Sequence, residues 1–458
     1  MHTLAQLRSG ALQGIRRLDL SAGLTTLPPE VYDLADTLEV LNLSDNLLQD
    51  LPDDLPRLHR LTTVYASNNR LTRLPEVLGA CPHLRIIGAR GNQIAELPSR
   101  ALPPRLRWLT LTDNALTQLP AELGGCQQLQ KLMLAGNRLS QLPDAMAGLT
   151  ALELLRLAAN PLQHWPAWLT ELPRLAWLAL SGHQLVWPSP GLAPLAAWDW
   201  QQLQVGPLLG EGASGLIHSA RRGRAGQLAA SATDAEDPAL ALKLFKGAMT
   251  SDGLPEHELQ ASLVAGRHPQ LCTPVTTLSG HPDGVRGLLL PLIPPDFAPL
   301  AGPPSLASCS RDVYDPALRM PWPVAQQLLA GVASAVAHLH RRGVMHGDLY
   351  AHNILWQQHS GQAWLTDFGA ASLLPLHQPE LARALQALEV RAFGILADEV
   401  LTRCQPADGE PAACHSLRPL LAACLSEVAT QRPTMAELSA ALGPPASARD
   451  AASAQAPV

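Results

Sequence analysis

Asp348 and Asn353 stand five residues apart in His346-Gly347-Asp348-Leu349-Tyr350-Ala351-His352-Asn353, and Asp367-Phe368-Gly369 follows about fourteen residues later. That pattern suits phosphoryl transfer, in which one carboxylate positions the attacking hydroxyl while an amide and a second carboxylate hold Mg²⁺ against the phosphates. Upstream, Gly210-Glu211-Gly212-Ala213-Ser214-Gly215 reads GxGxxG between apolar runs, the second reaching Ile217. Glycines there let backbone approach a nucleotide's phosphates. Lys243 follows in the alternating stretch Ala239-Leu240-Ala241-Leu242-Lys243-Leu244-Phe245, one cation in apolar company. Taken singly, a glycine hairpin is common and a strand lysine can simply snorkel to water; the succession of these features gives them weight.

In that order the motifs resemble those of eukaryotic-type protein kinases, written HRDxxxxN, DFG and VAIK. The resemblance covers roughly residues 200 to 444 and implies a bilobal domain using ATP and Mg²⁺. It implies Asp348 as the catalytic residue, Asn353 and Asp367 as metal ligands, and Gly210, Gly212, Gly215, Ile217, Lys243 and Glu258 as ATP-binding residues. A helix carrying Glu258, with Glu256 as the other candidate, is expected to pair with Lys243. Apolar strands around Val275 and Leu288-Leu289-Leu290 should lead to an adenine-contacting hinge near Pro291-Leu292-Ile293, and Pro323 to Leu339 has the spacing of a long helix. His346 is expected to be a packed structural residue of the loop.

Departures from the resemblance matter. Gly347 replaces the HRD arginine, which argues against control by pairing that arginine with an activation-loop phosphate. Tyr350 stands where serine/threonine kinases commonly carry a lysine that helps hold the γ-phosphate. The stretch Leu388 to Leu396 resembles DxWSFGxxL with Glu389 for the Asp, only 22 positions beyond Asp367, and Pro379-Glu380 is at best a remnant of the APE motif. Arg432 would ordinarily pair with the APE glutamate. A reduced peptide-seating platform follows from that shortening.

The elements that precede this domain are repeats. Segments beginning at Ile15, Leu38, Leu61, Leu84, Leu106, Leu129, Leu152 and Leu175 each read approximately L-x-x-L-x-L-x-x-N-x-L, at intervals of 23 residues with one of 22. This is the pattern of leucine-rich repeats. Alternating leucines point one strand face into a shared core, the Asn can satisfy backbone groups where the chain turns, and stacking makes a solenoid. The Asn position is Asn in the six inner copies and Gly23 and His183 in the outer two, as capping copies should be. Between the core leucines, Val40, Tyr65, Ile86, Trp108, Met133, Leu154, Arg156 and Trp177 should line a concave side, where an exposed apolar row is expected to take a protein substrate or regulator, the alternative being that these residues pack against one another or against the following domain.

The expected fold class is thus α/β: an N-terminal leucine-rich-repeat solenoid followed by a bilobal protein-kinase-like α+β domain. Residues 1–14 form a cap, 15–186 about eight repeats, 187–199 a linker, 200–444 the kinase-like domain and 445–458 a disordered tail; Arg221 to Pro238 is expected to be a disordered insertion. A formal charge of -6 offers nothing to nucleic acid or an anionic membrane. Seven scattered cysteines without a CxxC pair suit reduced thiols, no window reads as a membrane span, and a cytoplasmic location is expected. The functional expectation is an ATP-dependent protein kinase acting on Ser or Thr, with Tyr left open. The alternatives are a pseudokinase scaffold and a kinase-fold phosphotransferase for a small molecule.

Overall fold

The structure is a computed structural model that describes residues 1–185, 196–212, 214–223, 239–246, 249–250, 252–404 and 412–443. The expected insertion and tail, apart from residues 221–223, lie outside the described residues. The chain divides into two units. The first is Met1–Val186 together with Pro304–Arg311 and Glu427–Ala429; the second contains the rest of the described chain.

In the first unit the repeat period becomes a ladder. Eight three-residue strands, β1 to β8, span Arg17–Asp19, Val40–Asn42, Thr63–Tyr65, Ile86–Gly88, Trp108–Thr110, Lys131–Met133, Leu154–Arg156 and Trp177–Ala179, and pair in parallel in chain order. Each central leucine, valine or isoleucine of the strands is buried, and 3₁₀ turns return the chain on the opposite side. The inner asparagines do what the motif anticipates. Asn137 donates to the carbonyls of Leu111 and Leu134, both at 2.9 Å, and accepts the Leu116 N–H at 3.0 Å. One side chain so satisfies backbone groups of two neighbouring copies, which a buried turn requires. The capping helix α1 is short, Leu4–Arg8, closed by a Thr3–Gln6 capping box.

The strand positions expected to form an exposed apolar row are not exposed. Val40, Tyr65, Trp108 and Met133 are half-buried, while Ile86, Leu154, Arg156 and Trp177 are buried. Sequence periodicity tells which side of a strand a residue takes, but not what lies over that side.

The second unit opens with a six-stranded sheet in the order β10-β11-β12-β14-β13-β9, from β9 Ala197–Asp199, β10 Leu203–Glu211, β11 Gly215–Arg222, β12 Leu240–Phe245, β13 Thr276–Ser279 and β14 Gly287–Pro291. β9 falls in the stretch expected to be linker; its register with β13 buries tryptophan surface that would otherwise be wet, and Trp198 and Trp200 pack on the core of Ala220, Leu240, Leu242 and Leu289. Helix α2, Pro255–Ala265, follows β12. The helical part comprises α3 Trp322–Arg341, α4 Pro379–Leu401, α5 Ala412–Ala423 and α6 Met435–Leu442. α4 begins with Pro379 at a position where its missing N–H costs nothing, and runs unbroken through Glu389. The remnant Pro379-Glu380 is therefore the first turn of a helix, with Glu380 exposed. Arg432 instead donates to the carbonyls of Ala387 and Ser426, both at 2.9 Å.

Candidate active site

β12 delivers Lys243 into a cavity of ≈ 360 Å³, because its neighbours on both sides, β11 and β14, hold it in the middle of the sheet. α2 supplies Glu258 opposite. The Lys243 ammonium lies 2.5 Å from Glu258 Oε1 and 3.7 Å from Asp367 Oδ1, with Lys243 and Glu258 buried and the Asp367 side chain half exposed. Burial alone would strip the charge from Lys243, but the carboxylates of Asp367 and Glu258 outweigh it and hold the ammonium above its ordinary range. Glu258 shares that one cation with Asp367; burial raises it to about 7, against the pull of Lys243 and with Asp367 adding to the rise. A site with two carboxylates around one buried cation has room for further positive charge. Glu256 lies away from this pair, its carboxylate 3.5 Å from Arg286 at a largely exposed position.

The glycines have two different reasons. A Cβ on Gly215 would meet the Leu244 carbonyl at 2.6 Å, so β11 and β12 can pack this closely only with glycine there. Gly210 and Gly212 face open space, which leaves backbone accessible beside the cavity. Gly210, Gly212, Gly215 and Ile217 all line it, as do Pro291, Leu292 and Ile293, the expected hinge. Cys272 also lines the cavity, its thiol pushed up to about 12 by burial and hence unreactive.

The stretch between α3 and the strand Ile354–Trp356 carries Asp348 and Asn353. Asn353 donates to Asp348 twice, to the carboxylate at 2.8 Å and to the carbonyl at 2.9 Å, which orients the carboxylate and leaves the amide oxygen as the acceptor end. Asn353 and Asp367 line the cavity; Asp348 is adjacent through Asn353. Thr366 ties the two segments by donating its N–H and hydroxyl to the Asn353 carbonyl, each at 2.9 Å. His346 is fully buried, hydrogen-bonded through Nε2 to the Thr366 carbonyl at 2.9 Å and packed against Phe368. Gly347 has φ 75°, a left-handed conformation, and its N–H donates to Glu389 Oε1 at 2.8 Å. Tyr350 is buried, its ring centre 5.1 Å from that of His352.

One contributor had no sequence signal. Asp312 lies forty residues upstream, yet its carboxylate accepts the His352 backbone N–H at 3.0 Å and pairs with the His352 ring Nδ1 at 2.7 Å. Burial works against a charged His352, but Asp312, and then Asp348 and Asp367, raise it above its ordinary range. No motif marks Asp312, because the partnership exists only in space.

The cavity, the Lys243–Glu258–Asp367 cluster and the Asp348–Asn353 pair are on one unit, and comparisons with known proteins agree with that unit and with the repeats. The leucine rich repeat family matches residues 36–94 and 104–162. The lipopolysaccharide kinase (Kdo/WaaP) family matches residues 299–392. A probable serine/threonine-protein kinase, drkC, from Dictyostelium discoideum is 26% identical over 212 residues, 38% of this chain and 26% of that protein. The serine/threonine-protein kinase PrkC of Bacillus subtilis is 34% identical over 116 residues, 21% of this chain and 18% of that protein. The matched stretches thus span about a quarter or less of these relatives. The chain joins leucine-rich repeats to a kinase-like domain.

Proposed function

We propose that this chain is an ATP-dependent protein kinase that transfers the γ-phosphate to a serine or threonine hydroxyl, with its repeats binding protein. The observation that carries this reading is the buried Lys243–Glu258 pair, with Asp367 beside it and Asp348 held by Asn353 next to the same cavity. The donor set fits a nucleotide with Mg²⁺: a cation for the α- and β-phosphates, and oxygen ligands from Asn353 and Asp367 of the kind a hard divalent ion takes. When bound, Mg²⁺-ATP supplies the phosphoryl group and the charge that neutralises it. Lys243, kept in place by Glu258, orients the phosphates. Asp348, oriented by the Asn353 amide, positions the acceptor hydroxyl and takes its proton at the carboxylate. Backbone at Gly210 and Gly212 lies open toward the cavity for close approach.

The experiment is transfer of labelled γ-phosphate by the purified full-length chain, to itself and to a generic protein, beside Asp348→Asn. Transfer that the variant loses supports the reading; transfer that Asp348→Asn retains in full overturns the assignment of Asp348.

A second reading has a specific observation in its favour. The lipopolysaccharide kinase match covers the segment with Asp348, Asn353 and Asp367, and α4 begins soon after Asp367, leaving little chain for a peptide platform. On that reading the acceptor is a sugar hydroxyl of a glycolipid. Label appearing on lipopolysaccharide and on no protein would favour it.

A further inference from the structure

The segment Pro304–Arg311 belongs to the first unit and packs on residues at its strand ladder. It is a compact turn. Ser305 and Ser308 exchange backbone-to-hydroxyl hydrogen bonds at 2.8 and 3.1 Å, the Cys309 N–H closes onto the Ser305 carbonyl at 2.9 Å, and Cys309 adopts a left-handed φ of 60°. A non-glycine residue keeps that conformation only where its surroundings hold it. The surroundings are residues just before or within β5, β7 and β8. Arg107 donates to the Ala307 carbonyl at 3.1 Å, Ser310 donates its hydroxyl to Glu153 Oε2, and Arg311 lies 3.2 Å from the same oxygen and donates to Oε1 at 3.3 Å. The Arg311 guanidinium sits 5.2 Å from the ring centre of Trp177. Cys309 and Ser310 are almost fully buried.

Glu153 decides what this surface can accept. Its side chain is 8% exposed, and both its oxygens bond to the segment. A carboxylate at that depth is costly without partners, and here a hydroxyl and the guanidinium one residue later supply them. A ligand lacking that pair would leave a desolvated anion facing it.

We infer that this face of the strand ladder is a peptide-binding surface anchored on Glu153 and specific for a serine followed by arginine, and that the chain fills it with its own Pro304–Arg311. A protein that uses this face does so by displacing the segment. The inference is independent of whether the chain transfers phosphate.

Cys309 is a built-in reporter. In the full-length chain its maleimide labelling, followed by peptide mass mapping, should be slow beside that of the half-buried Cys126. Glu153→Gln, and separately Arg311→Ala, should each speed Cys309 labelling at least about tenfold while Cys81, buried in the repeats, stays protected and reports an intact fold. An excess of the peptide of residues 304–311 carrying Cys309→Ser should speed labelling of the wild-type chain in the same way. Should Glu153→Gln expose Cys81 and so fail to fold, Arg311→Ala and the peptide still decide. Wild-type Cys309 labelling as fast as Cys126, or rates unmoved by Arg311→Ala and by the peptide, would overturn the inference.

Discussion

Glu389 on α4 accepts the N–H of Gly347 at 2.8 Å, joining two residues 42 apart in sequence, and its other oxygen pairs with His340 Nε2 at 2.8 Å. All three partners are buried, so one carboxylate fixes the left-handed backbone immediately before Asp348 and ties it to the end of α3. Removing Glu389 would take the carboxylate acceptor from a buried N–H and an ion-pair partner from a buried imidazole. Glu389→Ala is expected to lower the unfolding free energy by about 2–4 kcal/mol, read by urea denaturation. A loss under about 0.5 kcal/mol would show that the tie is dispensable.

The Lys243 cluster gives the prediction closest to function. Lys243→Met leaves Glu258 and Asp367 without their shared cation, and Asp367→Ala removes an expected metal ligand. Each should reduce phosphate transfer by about 10²-fold or more, while far-ultraviolet circular dichroism stays that of the folded chain. Full activity in both variants would sink the assignment of this cavity.

The glycine loop separates packing from access. Gly215→Ala must push against the Leu244 carbonyl, and thermal denaturation should reveal a loss of about 1–3 kcal/mol. Gly212→Ala meets nothing, so its stability should stay within about 0.5 kcal/mol of wild type. Its expected effect is weaker nucleotide binding, measured by titration calorimetry. Equal stability losses in the two would contradict this division.

His268 makes stability depend on pH. Burial, with His338 and Arg341 nearby, lowers it from 6.5 to about 4, and its Nδ1 accepts the Gln270 N–H at 3.3 Å, which requires the neutral ring. The unfolded chain takes up this proton near 6.5 while the folded chain does not until about 4. The stability is therefore complete above 6.5 and is lost as pH falls through that window. Solvent screening of a half-buried ring brings the expected loss to about 1–2 kcal/mol. His268→Gln should flatten the denaturant midpoint between pH 7 and 4.5; an unchanged slope would place the effect elsewhere.

Within the repeats, Asn160 is fully buried, donates to the Leu134 and Leu157 carbonyls at 2.9 Å and accepts the Leu139 N–H at 3.1 Å. Asn160→Ala takes the side-chain acceptor from the buried Leu139 N–H and a donor from each of two carbonyls, of which Leu134 keeps Asn137, and a cost of about 1–3 kcal/mol is expected in chemical denaturation. The exposed Gln163→Ala, in the same copy, should cost almost nothing.

Much of this protein is written locally. A 23-residue period needs only neighbouring copies to bury its leucines, so strand positions and the asparagine ladder follow from counting along the chain. The order of glycine loop, lysine, Asp348, Asn353 and Asp367 likewise identifies a kinase-like domain, because each motif is a short run with its own backbone demands. What the sequence could not determine are relationships between residues far apart in it. Asp312 with His352, Glu389 with Gly347 and His340, and Glu153 with Ser310 and Arg311 are buried polar pairings, decided only when tertiary packing removes water and obliges each charged group to find a partner. The concave row read as bare from its periodicity for the same reason: alternation assigns a residue to a face, and only the folded chain decides whether that face meets solvent or another segment.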